Sequence, residues 1–306
     1  MLLKYLSERL LLEKSYIEEL ANTASVRYKQ YFIPKRNGGL RSILHPAKEL
    51  KTLQRVIHED VLTRLPVHKA AHAYRKGLGL RKHASVHSTS HYMLRMDFKN
   101  FFESISAEDI ENFFSENSLL ISSEWGKEDT LLLRKIVCYK SSLTIGSVTS
   151  PTISNAICYE LDLIVDRLCL SKGVKYTRYA DDLYFSTDKP NVLKEIEKNI
   201  HIVVSKLRKP NALKINNSKT HHSSKKNKMS VTGLVITNDG QVSIGRDKKR
   251  KIRSMVHQWE TLNGKERKYL VGYISYCVSI EPEFINTLCR KYGADVISTI
   301  QRYLHK

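Results

Sequence analysis

The sequence predicts an α+β fold: an antiparallel sheet packed on helices, followed by a C-terminal region that is helical throughout. Three observations predict it. Two short runs rich in aromatic and β-branched residues, Tyr176-Thr177-Arg178-Tyr179 and Leu183-Tyr184-Phe185-Ser186, flank Ala180-Asp181-Asp182 and read as a hairpin. Apolar residues recur at helical spacing at Leu50, Leu53, Ile57, Val61 and Leu65, and again at Ile153, Ile157, Leu161, Ile164 and Leu168. Past Gly245 the pattern is helical in three segments: Arg246 to Asn263 stopping at Gly264, a second reaching Ser279, and a third opened by Glu281-Pro282.

Taken in order, the elements have identifiable causes. Residues 1–10 mix charges into an apolar stripe and read as an amphipathic helix, not as a signal peptide. The helix around Leu50 to Leu65 follows Pro46, a common first-turn residue. Met93-Leu94-Arg95-Met96 reads as a strand that ends in Asp97. Ser106-Ala107-Glu108-Asp109 is a capping box, and Ile110, Phe113 and Phe114 continue it as a helix with one apolar face. Ser150-Pro151 opens a helix that Gly173 stops, placed under the strands of Asp97 and Asp181. The chain has no internal repeat and no low-complexity linker.

Composition bounds the function. At 306 residues and 41% hydrophobic content the chain can bury a substantial core as one multi-lobed unit. It carries 51 Lys and Arg against 31 Asp and Glu, a formal charge of +20, which favours a polyanionic partner through phosphate contacts and counterion release. Five scattered cysteines, Cys138, Cys158, Cys169, Cys277 and Cys289, fit no zinc knuckle and read as reduced cytosolic thiols. No apolar run approaches the ~20 residues that span a bilayer, so no membrane partner is expected.

The chemistry lies in three acids. Asp181 and Asp182 sit at a hairpin tip, where Asp-Asp is ordinary turn material and equally a way to hold a divalent metal. Asp97, at a strand end about 80 residues upstream, shifts the balance toward metal. Three carboxylates brought together on neighbouring strands repel unless cations sit among them. Two Mg²⁺ ions bridged by such acids form a phosphoryl-transfer centre.

At these residues the chain resembles the reverse transcriptases, and within them the bacterial retron enzymes. Tyr179-Ala180-Asp181-Asp182 is similar to their catalytic hairpin, and Asp97 falls where they carry their first metal-binding aspartate. The resemblance covers nearly the whole chain. Ile33-Pro34-Lys35 with Gly39 to Ile43 looks like the fingers strands that hold the triphosphate of an incoming dNTP; Gly146 through Ser150-Pro151 to Asn155 looks like the segment beneath template and nucleotide. Ile215 to Thr220 looks like a later palm element with its lysine, Lys219. Val231-Thr232-Gly233 and His83-Ala84-Ser85-Val86-His87 resemble two retron-specific motifs, the second with His83 where the relatives have Asn. Leu143-Thr144-Ile145-Gly146 also departs from a common Leu-Pro-Gln-Gly pattern.

What the resemblance implies is a right-hand polymerase: N-terminal helices and fingers over 1–90, a palm over 91–240 with fingers elements interleaved, and a helical thumb over 241–306. Asp97 and Asp181 are expected to hold two Mg²⁺ ions, with Asp182 supporting one. Lys35 and Arg41 are expected to neutralise β- and γ-phosphate charge, and Phe102, five residues past Asp97, to gate against a ribonucleotide 2′-OH. Phe98 is assigned to the same nucleotide pocket; the alternative is that Phe102 is simply core, since Phe98 and Phe101 are candidates for the gate too. Lys219 is expected to protonate the departing pyrophosphate or to be a surface ammonium. Arg246, Lys248, Lys249, Arg250, Lys251 and Arg253 cover more than one face of a helix and are expected to track a nucleic-acid backbone. Val231, Thr232 and Gly233, beside Lys225, Lys226 and Lys228, are assigned to structured RNA. His83, His87 and His91, at i, i+4 and i+8, read as RNA contacts or packing in preference to a metal stripe.

Retron resemblance further implies a cognate noncoding RNA of the msr–msd type as template, priming from an internal guanosine 2′-OH, and a branched RNA-linked single-stranded DNA (msDNA) as product. The residues after the thumb leave no room for an RNase H domain, so a host RNase H is the expected partner for template removal. A defence effector protein of unknown type, an anti-phage role and a cytoplasmic location complete the expectation. The rival readings are a group II intron-like or other prokaryotic reverse transcriptase, and a non-catalytic RNA-binding scaffold.

Overall fold

A computed structural model describes residues 1–35 and 38–303. In chain order they form helices α1 (Leu2–Leu10) and α2 (Lys14–Asn22), strands β1 (Tyr28–Pro34) and β2 (Leu40–Pro46), helices α3 (Lys48–Asp60) and α4 (Leu80–His87), and strand β3 (Tyr92–Asp97). Next come α5 (Ala107–Glu116), α6 (Ser118–Ile121), α7 (Lys127–Val137), α8 (Ser150–Ile157), α9 (Tyr159–Lys172), and the pair β4 (Lys175–Tyr179) and β5 (Asp182–Thr187). Helix α10 (Val192–Lys206) leads to β6 (His221–Ser224), β7 (Met229–Val231), β8 (Leu234–Ile236) and β9 (Val242–Ser243). The chain closes with α11 (Arg246–His257), α12 (Gly264–Ile280), α13 (Pro282–Tyr292) and α14 (Ala294–Arg302). The class is α+β, as the patterning predicts. Among the described residues no helix is long and apolar enough to cross a membrane.

The residues divide into two compact units. The first comprises Met1–Arg75, Arg95–Leu183 and Lys194–His221. Its N-terminal core buries Leu2, Leu6, Ile17, Leu20, Leu50, Leu53, Ile57, Leu133 and Ile136 among α1, α2, α3 and α7. Asp129 pins that cluster: its carboxylate accepts from the N-terminal ammonium (2.9 Å), from the Leu2 N–H (2.6 Å) and from the Gly126 N–H (2.9 Å). The β1–β2 hairpin is antiparallel, with Ile33 opposite Arg41. The Leu44 N–H of β2 donates to the Ile145 carbonyl at 2.8 Å. Gly146 follows at φ 108°, where a Cβ would lie 2.5 Å from the Leu44 carbonyl oxygen. Only glycine lets the two backbones approach this closely, and position 145 acts there through its backbone. The Ser106–Asp109 capping box forms at α5 as the sequence predicts.

The second unit comprises Lys76–Leu94, Tyr184–Leu193 and His222–Lys306. Strands β7, β8 and β9 form an antiparallel sheet against which α4 packs. The last four helices bury Ile252, Leu270, Ile274, Phe284, Leu288, Ile297 and Ile300. The strands that carry or flank the three acids belong to a four-stranded sheet of order β4-β5-β3-β6.

Three boundaries differ from expectation. The helix from Ser150 to Gly173 is two helices, broken at Cys158 (φ −76°, ψ 5°). The break lets Asn155 of α8 and Asp162 of α9 reach one guanidinium, Arg178. Pro46 ends β2 instead of opening a helix, because Ala47 is the N-cap of α3. The helix beginning at Arg246 stops at His257, and Asn263 opens α12, its Oδ1 accepting from the N–H groups of Lys265 and Glu266 at 3.0 Å.

Candidate active site

The hairpin carrying the acids is built from beneath. Its loop is only two residues, Ala180-Asp181, and Ala180 takes φ 56°, a left-handed conformation unusual for alanine. Arg178, fully buried on β4, fixes that turn: Nη1 donates to the Ala180 carbonyl at 3.2 Å and to Asn155 Oδ1 at 3.1 Å. Its other nitrogens grip Asp162 at 2.6 and 2.8 Å, and the Tyr176 hydroxyl donates to the same carboxylate at 2.8 Å. A buried charge pair holds only when its remaining donors are satisfied, and here they are spent on the turn. The Arg178 N–H donates to the Ala70 carbonyl (2.7 Å) and its own carbonyl accepts from the His72 N–H (2.8 Å), so residues 70–72 run along the edge of β4.

Asp97 ends β3 and is 2% exposed. The adjacent Phe98 N–H donates to the Asp181 carbonyl at 3.0 Å, which sets the two acids side by side. The Asp97 carboxylate accepts from Lys219 Nζ at 2.9 and 3.0 Å, and its main-chain carbonyl accepts from the Asn216 N–H at 2.7 Å. Burial raises the pKa of Asp181, and the neighbouring Asp97 charge raises it further. Asp182 is pushed up to about 6 by burial, with repulsion from Asp181 and Asp97 adding and Arg95 opposing. Arg95 Nη2 donates to both Asp182 oxygens, at 2.8 and 3.0 Å, and Nε donates at 3.1 Å.

Among the described residues no group of three or more Asp, Glu, His or Cys is arranged as a ready metal cage. The donor set nonetheless fits a hard cation. Two adjacent carboxylates repel across a poorly solvated gap, and an ammonium already sits on one of them. Asp97 and Asp181 are the close pair, while the Asp182 oxygens face Arg95.

The other nucleotide-pocket residues separate. Lys35 and Arg41 are exposed on the β1–β2 hairpin, and Arg41 is near enough to Asp181 to lower its pKa. Phe98 is a correction: its ring is 2% exposed and stacks on Phe101 at 5.9 Å, so it is core, and only its N–H serves the site. Phe102 is half-buried, edge-on to Phe101 at 5.4 Å.

The motifs of the second unit are also more internal than expected. His87 is a correction: it is 0% exposed, and its Nδ1 lies 2.8 Å from Ser186 Oγ, so its side chain is packing, not an RNA contact. His83 packs edge-on to Tyr184 at 5.1 Å, and His91 lies beyond the end of α4, so the three histidines form no stripe. The Val231 side chain is buried as well; Thr232 and Gly233, at φ 46° and 83°, form the two-residue turn between β7 and β8. The Thr232 N–H donates to the Tyr184 hydroxyl at 3.1 Å. The basic helix α11 divides. Lys249 pairs with Glu281, Arg253 stacks over Phe284, and Lys248 Nζ donates to the Gly233 carbonyl at 3.1 Å; Arg246, Arg250 and Lys251 are exposed. Lys251 leans over the Tyr269 ring.

Sequence reasoning missed Arg95, Arg178 with Asp162, and Tyr74. Arg95 was findable, since residues two apart on a strand share a face and Arg95 precedes Asp97 by two. Arg178 looked like one more strand residue. Tyr74, at φ 61°, is pushed up to about 12 by burial, with the Asp181 charge adding to it; nothing in its sequence context marks it.

A family model described as reverse transcriptase (RNA-dependent DNA polymerase) matches residues 33–236. The retron Ec83 reverse transcriptase of Escherichia coli is 32% identical over 294 residues, 93% of this chain and 93% of its own. The retron Ec86 enzyme of E. coli is 31% identical over 91% of this chain and 87% of its own. The retron Mx162 enzyme of Myxococcus xanthus is 30% identical over 76% of this chain and 53% of its own.

Proposed function

This chain belongs to the reverse transcriptase family as a retron-type RNA-directed DNA polymerase, and we propose that Asp97 and Asp181 hold two Mg²⁺ ions at its active site, with Asp182 supporting one of them. The observation that carries this reading is the Lys219 ammonium seated on Asp97, a nearly buried carboxylate beside a second one. When bound, the ions supply acidification of the attacking hydroxyl and charge neutralisation at the triphosphate and leaving pyrophosphate. The chain's own residues do the rest. Arg95 holds the Asp182 carboxylate in one orientation and favours its ionised form. Lys219, displaced from Asp97, is positioned to give a proton to the departing pyrophosphate. Lys35 and Arg41 neutralise β- and γ-phosphate charge of the dNTP, Arg41 bidentately. The half-exposed edge of Phe102 crowds a 2′-OH and admits a deoxyribonucleotide. Residues 1–90, 91–240 and 241–306 act as fingers, palm and thumb.

The template is a cognate structured RNA of the msr–msd type, met by the Thr232-Gly233 turn and by the exposed Arg246, Arg250 and Lys251. Synthesis starts from an internal guanosine 2′-OH and yields msDNA. A host RNase H trims the template, and a defence effector joins the complex in the cytoplasm. Identity to three retron enzymes supports this over a group II intron-like enzyme. The test is to copurify the protein with its nucleic acid from a strain carrying the flanking noncoding RNA and treat with RNase. A DNA of fixed length bearing a 2′,5′-linked residue is expected. Its absence rejects the retron priming scheme.

A further inference from the structure

Between the β1–β2 hairpin and α3 lies an open cleft of about 610 Å³ that none of the three acids lines. Its walls carry Arg27, Lys29, His45, Lys48, Lys51 and Arg55 and no carboxylate. One wall is a cross-strand pair, Lys29 opposite His45. The other is a single face of α3, where Lys48, Lys51 and Arg55 recur at i, i+3 and i+7. Arg27 is already committed, donating to Thr23 Oγ1 at 2.7 Å and to Glu19 at 3.3 Å. Among the described residues no carboxylate pairs with Lys29, Lys48, Lys51 or Arg55.

We propose that this cleft is a further RNA-binding surface, taking the sugar-phosphate backbone of structured RNA on Lys29, Lys48, Lys51 and Arg55. The spacing suits that ligand. At 1.5 Å rise per residue the three α3 cations form a row about 10 Å long, which spans about three phosphates of one strand at roughly 3.4 Å of axial rise each. Basic groups from two elements line one cleft and can contact a strand lying between them, whereas a bilayer needs one open basic face. The choice of RNA as the polyanion rests on the retron reading, in which the template is a folded RNA that extends beyond the nucleotides at the active site.

The test replaces Lys29, Lys48, Lys51 and Arg55 together by Gln in the full chain. Binding of a fluorescein-labelled RNA stem-loop is then followed across a salt series, with incorporation of dTTP on poly(rA)·oligo(dT) in parallel. The expected result is RNA binding weakened at least about tenfold at low salt and a log–log salt slope shallower by about 3, from four lost phosphate contacts at ~0.7 each on a single strand. The unfolding midpoint and the kcat on saturating primer–template stay within about twofold of the parent. Lys29→Arg, Lys48→Arg and Lys51→Arg in the otherwise native chain retain the parental slope. An unchanged affinity and slope in the Gln variant overturns the proposal. So does unchanged RNA binding accompanied by lost binding to phosphatidylglycerol vesicles, which gives the cleft to a membrane. Failure of the active-site reading is separate: it appears as Asp181→Asn retaining incorporation, whatever the salt slope.

Discussion

Two hairpins of this protein share one backbone device and differ in everything around it. Ala180-Asp181 joins β4 to β5 and Thr232-Gly233 joins β7 to β8, each through a two-residue loop whose first residue is left-handed without being glycine. The first turn is held from below by Arg178, and Asp181 is set against Asp97, so the strained turn displays a perturbed acid. At the second, the Thr232 N–H is tied to the Tyr184 hydroxyl, the Thr232 hydroxyl is buried with no hydrogen-bond partner among the described residues, and the Gly233 carbonyl accepts from Lys248. Turn geometry therefore assigns no chemistry by itself. The groups packed against the loop decide whether it presents a reactive side chain or a backbone surface.

Four substitutions separate the two turns. Asp181→Asn removes a cation ligand while keeping shape, and nucleotide incorporation is expected to fall about a thousandfold, roughly 4 kcal/mol, with RNA affinity retained. Primer-extension rates and filter binding on the same preparation measure both, and near-parental incorporation would falsify the ligand assignment. Arg178→Leu strands the buried Asp162 carboxylate and releases the turn. A stability loss of about 3–5 kcal/mol is expected in urea unfolding, and a loss under about 1 kcal/mol would show that the ion pair does not hold the hairpin.

The second hairpin gives smaller effects. Tyr184→Phe leaves the Thr232 N–H without its acceptor and is expected to cost about 1–3 kcal/mol in the same unfolding assay, with catalysis on simple primer–template unchanged. Thr232→Gly relieves a β-branched residue of its left-handed conformation. It is expected to stabilise the chain by about 0.5–1 kcal/mol after the entropy of the added glycine is subtracted. A loss of RNA affinity in that variant, with stability gained, would assign the threonine side chain to recognition.

Much of this is legible in the sequence. The strand runs around Asp97 and Asp181, the capping box at Ser106 and the glycine stop at Gly173 are local signals, readable over a few residues. The three acids were legible too, because two strand-end positions far apart in sequence carried the same unusual residue. The helix break at Cys158 was not, since the apolar spacing runs straight through it and the reason for the break, a guanidinium on β4, lies outside the helix.

The sequence by itself determined the fold class, the placement of Asp97, Asp181 and Asp182, and the excess of basic charge, because periodicity, turn chemistry and composition are additive along the chain. Only the tertiary structure decided which charges are available. It committed Lys249 to Glu281 and Arg253 to Phe284, turned Asp182 toward Arg95, and sent Phe98, His87 and Val231 into the core. The physical reason is that burial and pairing act across distant segments. A charged or aromatic residue reads the same in sequence whether its partner is solvent, a substrate phosphate or another side chain of the same fold.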